Sequence, residues 1–154
     1  SSKIEIVSEY KIQQALELIS GTDFESHALL VEDSGLFIKS LNDFPGVYSS
    51  YFSETIGNQG ILKLLLNEES RDAEYRAYSI MYSDGKYFHA LGKCLGRISN
   101  EIKGSNGFGY DPIFIPNSGD GRTFGEMEDY EKESKSHRGE SLRILYDKLS
   151  LPSK

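Results

Sequence analysis

The chain has 154 residues, is 38% hydrophobic before its 15 glycines are counted, and carries a net charge of −7; this describes one globular domain over residues 1–154 and excludes a disordered chain. The acidic balance argues against DNA or RNA as a partner, because a phosphate backbone needs a basic face, whereas a small phosphorylated ligand needs only a few local cations. The lone Cys94 allows no intrachain disulfide and indicates a reducing cytoplasm, and with no apolar run of about 18 residues and no signal peptide in Ser1-Ser2-Lys3-Ile4-Glu5, no membrane partner is expected.

Lys3 to Val7 alternates charged and apolar residues, which suggests a short edge strand. Ser8-Glu9 then reads as a helix start, with Ile12, Ala15, Leu16 and Ile19 at the i, i+3, i+4, i+7 spacing of one helix face. The apolar run from Ala28 to Val31 stops at Glu32 and Asp33, Ser34-Gly35 reads as a turn, and Leu36-Phe37-Ile38 resumes apolar. This predicts a buried strand that delivers both carboxylates to a cleft at its end. Such a pair suits a hard cation such as Mg²⁺ or general-base work, although acids beside Ser-Gly are also ordinary turn chemistry.

Further along, Asp43 to Gly46 is turn-rich, and Ile61 to Leu66 predicts a short, deeply buried helix followed by a surface loop from Asn67 to Asp72. Arg76–Tyr82, Tyr87–Leu91 and Lys93–Ile98 read as three strands of an antiparallel meander, the first two joined by a hairpin turn at Ser83-Asp84-Gly85-Lys86. Ile113 to Ile115 is a further short strand. A closing helix, capped at or near Ser136, carries Leu142, Leu145, Tyr146 and Leu149 on one predicted face and stops at Pro152. The sum is a mixed α/β fold, a largely antiparallel, elongated sheet flanked by helices.

Three clusters carry candidate chemistry besides Glu32-Asp33. In Gly104-Ser105-Asn106-Gly107-Phe108-Gly109-Tyr110-Asp111-Pro112, the glycines leave the backbone bare for close approach to a ligand, Phe108 and Tyr110 offer flat faces, and Asp111 offers an acceptor. In Lys132 to Gly139, cations at a helix start work against the helix dipole unless an anion compensates them. Lys132, His137 and Arg138 are therefore assigned to ligand contact, and Lys135 to solvated surface. Arg122 to Met127 reads as a structural connection, with Arg122 a salt-bridge partner. A Ser-His-Asp hydrolase built on Ser34 or Ser136 is conceivable, but no Gly-x-Ser-x-Gly elbow supports it.

The order of these motifs resembles the inosine triphosphate pyrophosphatase family: Val31-Glu32-Asp33-Ser34-Gly35-Leu36, Phe44-Pro45-Gly46-Val47-Tyr48-Ser49, Gly107 to Pro112, Arg122 to Met127, Lys132, and Ser136-His137-Arg138-Gly139. The resemblance has an archaeal flavour, runs from about Lys3 to Leu149 and implies a reaction. A non-standard purine nucleoside triphosphate, ITP, dITP or XTP, is hydrolysed to the monophosphate and pyrophosphate with Mg²⁺ as cofactor, by a cytoplasmic homodimer. It implies that Asp33 is catalytic and activates water, and that Glu5, Glu32 and Asp33 hold the metal. Phe108 and Tyr110 match its base platform, and Ser34, Gly109, Asp111, Lys132, Ser136, His137 and Arg138 match its nucleobase and phosphate lining. Adenine is rejected in this scheme because its amino group leaves the site's donors unpaired. Relatives also carry a first strand, a Thr-x-Asn-x-x-Lys phosphate loop and a first helix; a gapless reading puts these ahead of Lys3, and the expectation is that this N-terminal strand and helix are missing from the sequence. A competing alignment takes Ile4 to Ser8 as that strand and Lys11 as the gripping Lys, at the expense of a large internal deletion. Tyr110 stands where relatives often have Trp, Glu17 where some have Lys, and Glu133 where Asn usually follows the Lys. The alternative from another class is a non-catalytic nucleotide-binding or scaffold relative.

Overall fold

In the computed structural model of the chain, which describes residues 3–150, the apolar stretch that carries Glu32 and Asp33 runs on without a break. Leu29–Ile38 is a single strand, β1, and Ser34 and Gly35 do not turn the chain. They pair in register with Ala77 and Arg76 of β3, Asp72–Ser83. The glycine that resembles a turn signal answers a close approach instead. A Cβ on Gly35 would lie 2.2 Å from the Gly46 carbonyl oxygen.

The expected hairpin forms. Asp84 and Gly85 take positive φ, 50° and 74°, at the tip between β3 and the next strand. That strand, β4, is one element, Lys86–Ile98, where two were expected. Gly92 does not interrupt it, because the closing helix presses on it. A Cβ there would lie 2.0 Å from the His137 carbonyl oxygen and 2.4 Å from the Ser141 nitrogen. Two short strands complete the sheet, β2 (Phe44–Pro45) beside β1 and β5 (Phe114–Pro116) beside β4. The order is β2-β1-β3-β4-β5, and every pairing is antiparallel.

Helix α1, Ile4–Ile19, packs on one face of β1 and β3. The edge strand expected from Lys3 to Val7 is therefore the first turn of this helix, and the competing reading of Ile4 to Ser8 as an opening strand falls with it. Ile4, Ser8 and Ile12 form the buried stripe, at a helical rather than a strand period, and Ile6 stays 48% exposed. Ser8 does not start the helix; inside it, its hydroxyl donates to the Tyr78 carbonyl.

Helix α5, His137–Ser150, covers β3 and β4. Its predicted apolar face is rotated from the real one. His137, Ser141 and Leu145 are buried, while Leu142, Tyr146 and Leu149 are exposed. Small Ser141 meets Gly92, and its hydroxyl bonds that of Ser79 at 2.9 Å, so the helix seats closely along a polar line. The expected stop, Pro152, lies outside the described residues. Between β2 and β3 lie α2 (Ser49–Thr55) and α3 (Gly57–Leu64). The deep burial expected for Ile61 to Leu66 holds only for Ile61 and Leu65; Leu64 and Leu66 are exposed. A short α4, Asp129–Glu133, precedes α5.

The Gly92→Ala variant should lose about 2 kcal/mol or more, because the added methyl meets backbone that cannot yield. Urea unfolding measures this, and an unchanged midpoint would contradict the seating of α5 on β4.

Candidate active site

A cavity of about 300 Å³ opens between β1, β3, α2, the 107–111 loop and the start of α5. Its lining includes Ser34, Tyr75, Phe108, Gly109, Tyr110, Asp111, His137 and Arg138. The loop is held by Asp111, which is 2% exposed. Its Oδ2 accepts the Phe108 N–H at 2.8 Å and Lys132 Nζ at 2.5 Å. Lys132 thus reaches back from α4 and lies over the Phe108 ring, 4.3 Å from the centroid. This ion pair is almost sealed from water, and removing either partner would strand a buried charge. Gly107 serves the same knot rather than a ligand: its φ is +74°, and a Cβ would lie 2.1 Å from Asp111 Oδ2.

Tyr110 corrects its predicted role. It is 2% exposed and its hydroxyl donates to the Ser49 carbonyl at 3.0 Å, so it anchors the loop to α2 rather than offering a free stacking face. Phe108, 60% exposed at the rim, remains available for that purpose. Lys132 is likewise taken by Asp111 and does not line the cavity.

Ser136 caps α5, accepting the Gly139 N–H at 3.0 Å through its hydroxyl. It does not line the cavity, so its predicted ligand contact becomes a capping role. His137 follows it into the interior at 6% exposure and stacks flat on Tyr75, with centroids 4.6 Å apart and planes 6° from parallel. Burial, and then the charges of Arg138 and Lys132, push the imidazole pKa down to about 3. It is therefore neutral, and its buried Nδ1 has no hydrogen-bond partner in the protein. Arg138 closes the rim: it donates to Glu32 at 2.7 Å and to the Ser34 hydroxyl at 3.1 Å, with its guanidinium 5.1 Å from the Phe108 centroid.

Glu32 and Asp33 do not converge. Adjacent strand residues point to opposite faces, so Glu32 reaches Arg138 of α5 while Asp33 reaches Lys11 of α1 at 2.5 Å. The predicted set of Glu5, Glu32 and Asp33 cannot hold one ion together, and the described residues contain no group of three His, Cys, Asp or Glu side chains placed for a metal. Asp33 and Glu5 do share the α1 side of the sheet. Tyr78, the register partner of Asp33, has its phenol raised by burial and then by Glu9 and Glu5. Two carboxylates suit a Mg²⁺ ion that arrives on a nucleotide's phosphates; they do not suit a closed protein cage.

The structure therefore joins Ser34, Phe108, Gly109, Asp111, His137 and Arg138 in one site, and sets Asp33 and Glu5 apart on the other face. Tyr75 and the serines of α2, Ser50 and Ser53, also line the cavity and carried no motif in the sequence. Arg122 is the salt-bridge partner expected, held by Asp120 and Glu131.

The Ham1 family profile matches residues 1–148. A Pyrococcus horikoshii protein named dITP/XTP pyrophosphatase is 46% identical over 156 residues, covering 96% of this chain and 83% of the relative. Among solved structures, the Staphylococcus aureus Ham1 protein aligns with a TM-score of 0.85 at 27% identity, over 97% of this chain and 77% of that one. The nucleoside-triphosphatase / dITP/XTP pyrophosphatase of Mycobacterium abscessus aligns at 0.75 with 30% identity, over 99% of this chain and 76% of that one.

His137 predicts a pH dependence of stability. Its pKa is lowered on folding from 6.5 to about 3, so its contribution is complete above pH 6.5 and is lost as pH falls toward 3. In that window, unfolding free energies of the wild type should fall more steeply than those of His137→Gln, by up to about 1.4 kcal/mol per pH unit. Equal slopes would contradict a buried neutral imidazole.

Proposed function

This chain belongs to the Ham1 family, and on that premise we propose that it hydrolyses non-standard purine nucleoside triphosphates, ITP, dITP or XTP, to the monophosphate and pyrophosphate. The observation that carries the reading is the cavity beside Phe108. It offers a flat apolar face, a neutral imidazole and a buried carboxylate fixed by the Lys132 ammonium. A 6-oxopurine presents an acceptor at O6 and an N–H at N1, and adenine reverses both. A site built for one pattern leaves its polar groups unpaired against the other.

The cavity volume, about 300 Å³, lies at the lower end of ligand pockets, and it suits the nucleoside while the phosphates extend outside. The exit runs past Arg138 and Ser34. Here the backbone of β1 is favourably disposed. The Leu36 N–H donates to the Ser49 hydroxyl and so faces away from β3. By strand alternation the main-chain groups of Ser34 and Glu32 face the same edge. β2 pairs only with Phe37 and Ile38, which leaves the Glu32–Ser34 edge without a strand partner among the described residues. In this proposal the triphosphate rounds that edge, from the cavity on the α5 side to Asp33 on the α1 side.

Asp33 is then the general base that takes the proton of the attacking water, and Lys11 steadies its carboxylate from α1. Asp33 and Glu5 are the residues that would hold Mg²⁺, which when bound supplies charge neutralisation on the phosphate oxygens. Arg138 guides the phosphates, while Phe108, Asp111 and His137 receive the base. The proposal extends to a homodimer working in the cytoplasm.

Asp33→Asn should reduce pyrophosphate release from ITP by about 10²-fold or more, while calorimetric affinity for IMP is unchanged. Full activity in that variant would remove Asp33 from its role. IMP binding by the wild type with no turnover at high enzyme concentration would replace the enzymatic reading with that of a non-catalytic nucleotide binder.

A further inference from the structure

The two adjacent carboxylates of β1 each carry a cation of the chain itself. On the α5 side Glu32 accepts from Arg138 at 2.7 Å, and on the α1 side Asp33 Oδ1 accepts from Lys11 Nζ at 2.5 Å. The second pair bears on the chemistry, because Asp33 is the carboxylate that the proposed reaction asks to meet Mg²⁺. A hard divalent cation binds through carboxylate oxygens, and Lys11 already occupies one of them.

The fold brings Lys11 to this position. Helix α1 is fixed on the sheet by the buried Ile4 and Ile12 and by the Ser8 hydroxyl, which donates to the Tyr78 carbonyl at 3.1 Å. Tyr78 is the register partner of Asp33. Lys11 lies at i+3 from Ser8, its neighbour on the helix surface, and so comes to Asp33. The ammonium is the adjustable end of the pair: the Lys11 side chain is 46% exposed, and a lysine stem is flexible enough to move its charge from one oxygen to another within reach.

Electrostatics gives the sign of the effect. A divalent cation brought to Asp33 while Lys11 stays meets a like charge at close range. One that displaces Lys11 must break an ion pair as well as shed water. Either route weakens binding of the bare metal. A ligand that brings phosphate oxygens relieves the conflict, since it offers the ammonium another anion.

We propose that Lys11 is a resident counter-ion that competes with Mg²⁺ for the Asp33 carboxylate and keeps the nucleotide-free protein's affinity for the metal low. This deepens the hydrolase reading and rests on its assignment of Asp33 to Mg²⁺.

The test is a calorimetric titration of Mg²⁺ alone into the nucleotide-free protein, as wild type, Lys11→Met, Lys11→Arg and the double variant Lys11→Met/Asp33→Asn. Lys11→Met keeps the stem and removes the charge, and should bind Mg²⁺ about tenfold more tightly than the wild type. Lys11→Arg keeps the charge and should match the wild type, and the double variant should lose the gain. Affinities of wild type and Lys11→Met that are equal, or both too weak to measure, would overturn the proposal. So would a gain that survives Asp33→Asn or appears equally in Lys11→Arg. Should Lys11→Met not fold, Lys11→Gln is read in the same way. ITP hydrolysis is measured separately on the wild type. Its absence removes the hydrolase reading and leaves the Mg²⁺ titration to decide on Lys11. Turnover of ITP with unchanged Mg²⁺ affinity in Lys11→Met removes the counter-ion and leaves that reading standing.

Discussion

The alternation of side chains along β1 is the constraint on which the site depends. Because the strand runs unbroken from Leu29 to Ile38, Glu32 and Ser34 fall on the α5 side and Asp33 on the α1 side. Each is then met by a cation from a different helix, Arg138 for the first pair and Lys11 for the other. The proposed base recognition and the proposed chemistry thus fall on opposite faces of one strand.

The second contribution is the knot around Asp111. A carboxylate and an ammonium buried together are stabilising only when their remaining hydrogen-bonding capacity is met. Here the Phe108 N–H helps to meet it, and the φ of Gly107 makes room for the carboxylate. The result ties the 107–111 loop to α4 in one wall. The neutral state of His137 follows from the same crowding, since burial and two nearby cations both oppose a proton on the ring. A neutral imidazole and a fixed carboxylate present a defined pattern of donors and acceptors, which is what selection between an oxo and an amino group requires.

Much of this was legible in the sequence, and the exceptions share a cause. The order of motifs gave the family, the Asp84-Gly85 turn gave the hairpin, and Ser136 marked the start of α5. Gly35 and Gly92 misled because a glycine that admits a neighbouring backbone looks the same in sequence as one that turns the chain. The neighbours, the Gly46 carbonyl and the α5 backbone, are set only by the tertiary fold. Reading Gly35 as a turn also brought Glu32 and Asp33 together, which strand continuity forbids. The start of α1 misled because Ile4 and Ile6 alternate over too short a span to separate a strand from a helix. Tyr75 carried no signal at all, falling between the loop read from Asn67 to Asp72 and the strand read from Arg76. Its stack on His137 is made only by the tertiary fold.

The most direct test of the account is a crystal structure of the protein with Mg²⁺ and a non-hydrolysable ITP analogue. The base should stack on Phe108 with its 6-oxo edge toward Asp111 and His137, and the phosphates should pass Ser34 to reach Asp33 on the far side of β1. An analogue lying wholly on one face of the sheet, or with its base in the cleft between the start of α1 and residues 42–48, would contradict it.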